Sequence, residues 1–205
     1  MIYTLPKKHL SYSAISLWYK NKQQFRDRYY LNKKTPDTAW TLFGKEIHKA
    51  LEKNEEKLSH IPRYPVSELE VRTEIGGVPI LAYIDSFHPE EKRILDFKTS
   101  MKQWTQKEVD TLMQLPFYSE LIFREYGSVH PQTKIVWLET RLAPSTGLLS
   151  QGDSIQLTGR HEVFEREITQ AERDHVIAWV IQGAEQISLD FQEWNNRSLP
   201  EKAEN

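Results

Sequence analysis

The chain has 205 residues, enough for one domain with a full hydrophobic core, and its 39% apolar and 27% charged content is that of a globular protein. The absence of cysteine excludes disulfides, thiolate zinc sites and cysteine-ligated iron–sulfur clusters, and no apolar run of about 18 residues or apolar leader is present, so a reducing cytoplasm is the expected compartment. The net charge of −2 hides an asymmetry: 13 basic and 6 acidic residues through Arg63 give +7, against −9 for the remainder.

Ser11 and Ser13 are N-cap candidates for a helix running to about Tyr30. Lys7, Lys8, Lys20, Lys22, Arg26, Arg28, Lys33 and Lys34 crowd this region, and Lys45 and Lys49 follow. They form either a solvated helical face or a phosphate-binding surface. Trp18, Tyr19, Tyr29 and Tyr30 lie among them, as core packing or as base-stacking groups. A second helix is predicted from Thr38 to Leu58. Val66–Ile75, the tight turn Gly76-Gly77, Val78–Phe87 and Arg93–Thr99 predict a meander of three antiparallel strands. Thr105 and Glu108 form a capping-box pattern for a helix to about Tyr126, with Pro116 expected to kink it. Lys134–Arg141 reads as a strand, Pro144–Asp153 as a loop and Ser154–Glu167 as a strand or hairpin piece. Thr169 and Glu172 open a final helix to about Trp194. The order αα-βββ-α-β-β-α predicts a mixed sheet flanked by helices.

The chemistry concentrates on the second hairpin. Closure around Glu90-Glu91 sets residue 88 opposite 93 and Asp85 opposite Asp96, with Cβ atoms about 4.5–5.5 Å apart. Two carboxylates so placed repel unless a cation lies between them, and a hard divalent ion accepts several carboxylate oxygens. Period-two alternation puts Lys98 on the face of Asp96, with Leu95 and Phe97 on the other. Lys98 is then either part of a reactive site or simply a salt-bridge partner for Asp96. Closure around Gly76-Gly77 sets Glu68 opposite Asp85, so Glu68 or Glu70 is a supporting group or an additional metal ligand. Gly44 and His48, four apart on the second helix, bring a small residue and an imidazole to one face. Gln114 and Tyr118 have the same spacing and are either site residues or a helix–sheet packing pair. The remaining histidines, His9, His60, His88, His130, His161 and His175, have no convincing metal-ligand spacing.

The ordered series Gly44-x-x-x-His48, Asp85, Asp96-x-Lys98 and Gln114-x-x-x-Tyr118, with the Ser11-x-Ser13 opening, resembles the RecB-type branch of the PD-(D/E)XK nuclease superfamily over about residues 10–125. The resemblance implies an α/β (α+β) fold with a restriction-endonuclease-like mixed central β-sheet flanked by helices. It implies one nuclease domain over residues 1–195 and a flexible tail over 196–205. In that family's terms, His48, Asp85, Asp96 and the main-chain carbonyl of Phe97 would hold Mg²⁺ or Mn²⁺. Lys98 would orient or activate the attacking water, and Gln114 and Tyr118 would support the site or grip the substrate strand. The implied activity is metal-dependent, exonucleolytic hydrolysis of DNA in repair, recombination or phage and defence DNA processing. DNA is the implied partner, with a helicase or recombination protein as a further one and no membrane. The chain departs from the family pattern in having Ile84 where a proline would precede Asp85, and aspartate rather than glutamate at position 96. It has no P-loop glycine pattern, so any motor is a separate chain. The competing expectation is a non-catalytic nucleic-acid-binding or assembly module on the same fold.

Overall fold

The computed structural model describes residues 2–127, 131–143 and 155–197. The first predicted helix is two, α1 (Tyr12–Lys20) and α2 (Lys22–Tyr29). Ser11 caps α1 by accepting from the Ala14 N–H at 3.2 Å. The break falls at Asn21, whose extended backbone and side chain, accepting from the Gln24 N–H at 2.9 Å, start α2 afresh. A short amide that competes for backbone N–H groups favours a cap over a helix interior. Helix α3 (Ala39–Glu52) is capped by Thr38 and stops before the expected Leu58. Asn54 at φ +54° leaves the helical region, and only a 3₁₀ turn, Glu56–Leu58, follows.

Strands β1 (Val66–Ile75), β2 (Val78–His88), β3 (Arg93–Ser100), β4 (Thr133–Leu142) and β5 (Ile155–Arg166) form one sheet in the order β1-β2-β3-β4-β5. Gly76 and Gly77, at φ +59° and +77°, make the predicted tight turn. Strand β2 pairs antiparallel with β3 in the predicted register, His88 opposite Arg93 and Ser86 opposite Leu95. Strand β3 runs parallel to β4, and β4 is antiparallel to β5, so the sheet is mixed, as expected.

The crossover from β3 to β4 holds α4 (Gln106–Asp110) and α5 (Gln114–Tyr126) in place of one kinked helix. The Thr105–Glu108 capping box forms, but the helix it opens ends at Asp110. Pro116 occupies the first turn of α5, where no intrahelical N–H bond is lost, so it starts a helix instead of bending one. A final helix, α6 (Gln170–Asn196), opens with the Thr169–Glu172 box. The loop expected over Pro144–Asp153 and the tail beyond Arg197 lie outside the described residues.

The chain divides into two compact units. The larger comprises residues 36–69 and 83–168. There Leu95, Phe97, Val136 and Leu138 pack against Ile47, Ala50 and Leu51 of α3. Ile135, which alternates with them, packs against Val109 and Leu115 of α4 and α5. The sheet is therefore covered on both faces, which explains the nearly continuous apolar run of β4.

The other unit comprises residues 1–35, 70–82 and 169–205. Leu10 bridges to the hairpin, donating to the Pro79 carbonyl and accepting from the Leu81 N–H, both at 2.9 Å. A Cβ at Gly76 would lie 2.4 Å from the Ile181 side chain, so the turn glycine also permits α6 to pack closely. Trp18 is buried and donates to Gln186 at 3.1 Å, while Tyr19 stacks on Trp179. Tyr30 packs between Phe191 and Trp194. These aromatics serve packing. Among the basic residues, Arg26 and Lys33 pair with Asp190 and Asp27.

Candidate metal centre

Three elements of the larger unit bring a cluster of acids together with one histidine. Ligand atoms of His48 on α3, Glu68 on β1 and Asp85 on β2 all lie within 4.8 Å of one another. Asp85 Oδ2 accepts from the Phe97 N–H at 2.8 Å, which ties β2 to β3 where the two predicted aspartates meet. Its Oδ1 lies 3.6 Å from His48 Nδ1, too long for a hydrogen bond. Together with Phe97, the three side chains help enclose a space of about 10 Å³, the size of one water or ion.

Glu68 has its backbone at φ +51° inside a strand. A non-glycine residue there carries strain of about 1–2 kcal/mol, and the departure from the pleat re-aims the side chain. Sequence alternation placed Glu68 opposite Asp85 but could not foresee this conformation. Glu70, the other acid considered, instead pairs with Arg72 at 2.5 Å.

Asp96 is 1% exposed. Its Oδ2 lies 2.7 Å from Lys98 Nζ as an ion pair, but the angles do not form a hydrogen bond, and this atom has no hydrogen-bond partner among the described residues. Asp96 is not among the three residues whose ligand atoms converge, yet its charge acts on His48, Glu68, Asp85 and Tyr118. Lys98 Nζ also donates to Gln114 Oε1 at 2.8 Å, and Gln114 Nε2 donates to the Tyr118 hydroxyl at 2.8 Å. The four-residue spacing on α5 thus fastens Lys98 from one side. Leu95 and Phe97 enter the core under α3, as alternation requires.

The electrostatics are lopsided. Burial pushes the Asp85 carboxyl well up, and Asp96 pushes it further, against the Phe97 N–H and Lys98. Burial, then Glu52 and Asp96, raise Glu68. Burial lowers His48, helped by Lys98 and opposed by Asp96 and the Phe97 main chain, which keeps the imidazole neutral and its lone pair available. Burial, then Asp96 and Asp85, raise the Tyr118 phenol well up, so it stays protonated. With all three ionised, Asp85, Asp96 and Glu68 against the Lys98 ammonium leave an excess of two negative charges, which a divalent cation would balance. Carboxylate oxygens with one imidazole suit Mg²⁺ or Mn²⁺, so the residues fit such an ion.

No family model and no curated protein matches this sequence. Solved structures do. A candidate exonuclease from Eubacterium rectale superposes with a TM-score of 0.56 at 11% identity, over 88% of this chain and 80% of that one. A phage-related exonuclease from Haemophilus somnus 129PT superposes with a TM-score of 0.51 at 14% identity, over 88% and 82%. At such identities the likeness establishes a shared fold.

Proposed function

We propose that this chain is a metal-dependent deoxyribonuclease of the RecB-type PD-(D/E)XK branch, acting as an exonuclease through one domain over residues 1–195. The observation that carries this reading is the uncompensated carboxylate cluster, with Lys98 paired to Asp96 and held by Gln114. Its occurrence on a fold shared with two exonuclease-named structures adds support. Asp85, Asp96 and His48, with the Phe97 carbonyl and with Glu68 added, would hold Mg²⁺ or Mn²⁺. Such an ion would polarise a phosphate oxygen and lower the pKa of a bound water.

The chain's own groups have distinct tasks. Lys98 orients the attacking water and places positive charge where the phosphoryl oxygens gain negative charge. Gln114, bonded to both Lys98 and Tyr118, is a positioning residue that fixes the ammonium. The Phe97 N–H holds one Asp85 oxygen, which leaves the other for the cation. Tyr118, protonated, donates to the site or to the strand.

The test is incubation of purified protein with end-labelled single- and double-stranded DNA and Mn²⁺ or Mg²⁺, reading product lengths over time. Metal-dependent shortening from an end, abolished in Asp96→Ala and in Lys98→Ala, is expected. Undiminished cleavage by both variants would overturn the assignment. Loss of cleavage in the wild type with DNA binding retained is the outcome for a non-catalytic binding module.

A further inference from the structure

Helix α3 carries a second pattern beside the Gly44–His48 pair. Trp40, Gly44, His48 and Glu52 recur every four residues, so they form one stripe along the helix. Thr41, Lys45 and Lys49 form the adjoining stripe. Both stripes line an open groove of about 900 Å³ that also reaches Lys98, Thr99 and Glu68. The groove therefore shares His48, Glu68 and Lys98 with the candidate metal centre and continues away from it along the helix.

The two ends of the groove differ. Near the metal centre are Glu52 and Glu68. Towards the start of α3 is Trp40, 39% exposed; the exposed ammonium of Lys45 follows in mid-helix, and that of Lys49 lies in the last turn, next in sequence to His48. Lys45 pairs with Asp37 at 2.7 Å, but an exposed pair of this kind is worth at most about 1 kcal/mol and yields readily to a phosphate. Gly44 forms the floor between the ends. A Cβ there would meet only Thr99 Oγ1, at 3.4 Å, so packing does not demand a glycine and the missing side chain leaves the groove clear.

We infer that a single DNA strand lies along α3, with an unpaired base stacked on the Trp40 indole, its phosphates at Lys45 and Lys49, and its backbone crossing Gly44 to the metal centre. The inference rests on the nuclease reading for the identity of the occupant. An exposed indole followed along the helix by two lysines combines the stacking platform and the cationic track that single-strand binders use. A duplex keeps its base faces stacked on each other and offers one only at each end, whereas every base of a single strand has a face available to Trp40. Eight residues of helix separate Trp40 from His48, a span of about 12 Å. That is room for two to four nucleotides, since stacked ones rise about 3.4 Å each. Trp40 thus grips the strand a short distance from the scissile phosphate and selects unpaired ends.

The test is fluorescence anisotropy of a labelled oligothymidylate of about twelve nucleotides, and of a duplex of equal length, in EDTA to prevent hydrolysis. Full-length wild type, Trp40→Ala, Trp40→Phe and Lys45→Ala/Lys49→Ala are compared. Trp40→Ala weakens single-strand binding by about fivefold or more, Trp40→Phe restores most of it, and duplex binding is weaker throughout. The lysine double variant lowers affinity and flattens its salt dependence. Equal single-strand affinity in wild type and Trp40→Ala overturns the inference, as does equal loss in Trp40→Ala and Trp40→Phe, or a duplex bound as tightly as the single strand. The nuclease reading fails on a different observation, the absence of Mn²⁺-dependent cleavage by wild type, which leaves a Trp40-dependent single-strand preference standing.

Discussion

Two clusters of charge drawn partly out of water, one in each compact unit, are balanced in opposite ways. In the unit containing α6, Arg26 Nε donates to Asp190 Oδ2 at 3.0 Å, its other nitrogen reaches Oδ1, and the Tyr30 hydroxyl donates at 2.8 Å. Burial alone would raise the Asp190 carboxyl, but these donors outweigh it and the net shift is downward. In the other unit, Asp85 and Glu68 are both pushed up. One cluster is complete within the chain, and the other is two positive charges short. A satisfied ion pair is weak evidence of function, because structural pairs look the same. A shortfall built by three strands and a helix is what a site that takes up an external cation would show.

The largest expected effect removes the ammonium paired to Asp96 in the incomplete cluster. Lys98→Ala lowers Mn²⁺-dependent cleavage by about 10²–10³-fold or more, the range for losing a preorganised stabilising group, while DNA binding changes little. Steady-state cleavage beside a binding titration measures both. Gln114→Ala produces a smaller loss with a shifted pH profile, since it acts through Lys98.

Breaking the complete cluster affects stability and not chemistry. Asp190→Ala leaves Arg26 half-buried and unpaired and destabilises the fold by about 2–3 kcal/mol. This is below the 3–5 kcal/mol for fully buried pairs, because both side chains keep some solvent contact. Urea denaturation measures it, and an unchanged midpoint would erase the contrast between the clusters.

Neutralising the incomplete cluster has the opposite sign. A carboxyl whose folded pKa is raised favours the protonated form, so it penalises the fold above that pKa and the penalty lifts as pH falls towards the ordinary carboxylate range near 4. Asp190, with its pKa depressed, contributes stability that is present above that range and lost as pH falls through its folded value. In metal-free wild type, Asp85 and Glu68 therefore contribute a gain in stability as pH falls from neutral, opposed by His48, whose depressed pKa costs stability once the unfolded imidazole protonates near 6.5. Asp85→Asn removes the Asp85 part of that gain and raises metal-free stability at pH 7. Mn²⁺ raises the melting temperature of wild type, by about 2.7 kcal/mol of stability at a hundredfold excess over Kd, and raises that of Asp85→Asn far less. Calorimetry with and without EDTA reads all of this.

The smallest effect separates packing from function at one atom. Gly44→Ala improves helix propensity by up to about 1 kcal/mol and meets only Thr99. It should melt slightly higher and cleave more slowly.

Most of this contrast was legible in the sequence on the side of the local hairpins. Asp85, Asp96 and Lys98 follow from a tight turn and a period of two, and the observed register is the predicted one. Glu68 could be placed opposite Asp85 by the same arithmetic, but its left-handed backbone is imposed by surroundings that no local pattern encodes. The helix errors share one cause. Asn21, Asn54 and the Thr111–Met113 break stop helices whose apolar spacing continues across them, because capping and tertiary packing outweigh periodicity. Trp40 escaped notice because a lone aromatic near a helix start is ordinary in sequence and gains meaning only when Gly44, His48 and an open groove fall in line with it. The Arg26–Asp190–Tyr30 cluster joins residues more than 150 positions apart and leaves no trace in local pattern.

The parallel pairing of β3 with β4 has a consequence for the order in which the protein folds. The β2–β3 hairpin closes through a short turn, an event of about 1–10 μs. Strand β4 must wait for residues 101–132 to loop back, and long-range parallel pairing is intrinsically slow. Asp85 and Asp96 therefore meet early in folding, before Gln114 arrives on that crossover to hold Lys98 beside them. As the crossover then buries the two carboxylates, water no longer screens their repulsion, and a dissolved cation has most to offset. The ion proposed for chemistry would then also speed the maturation of the site that holds it.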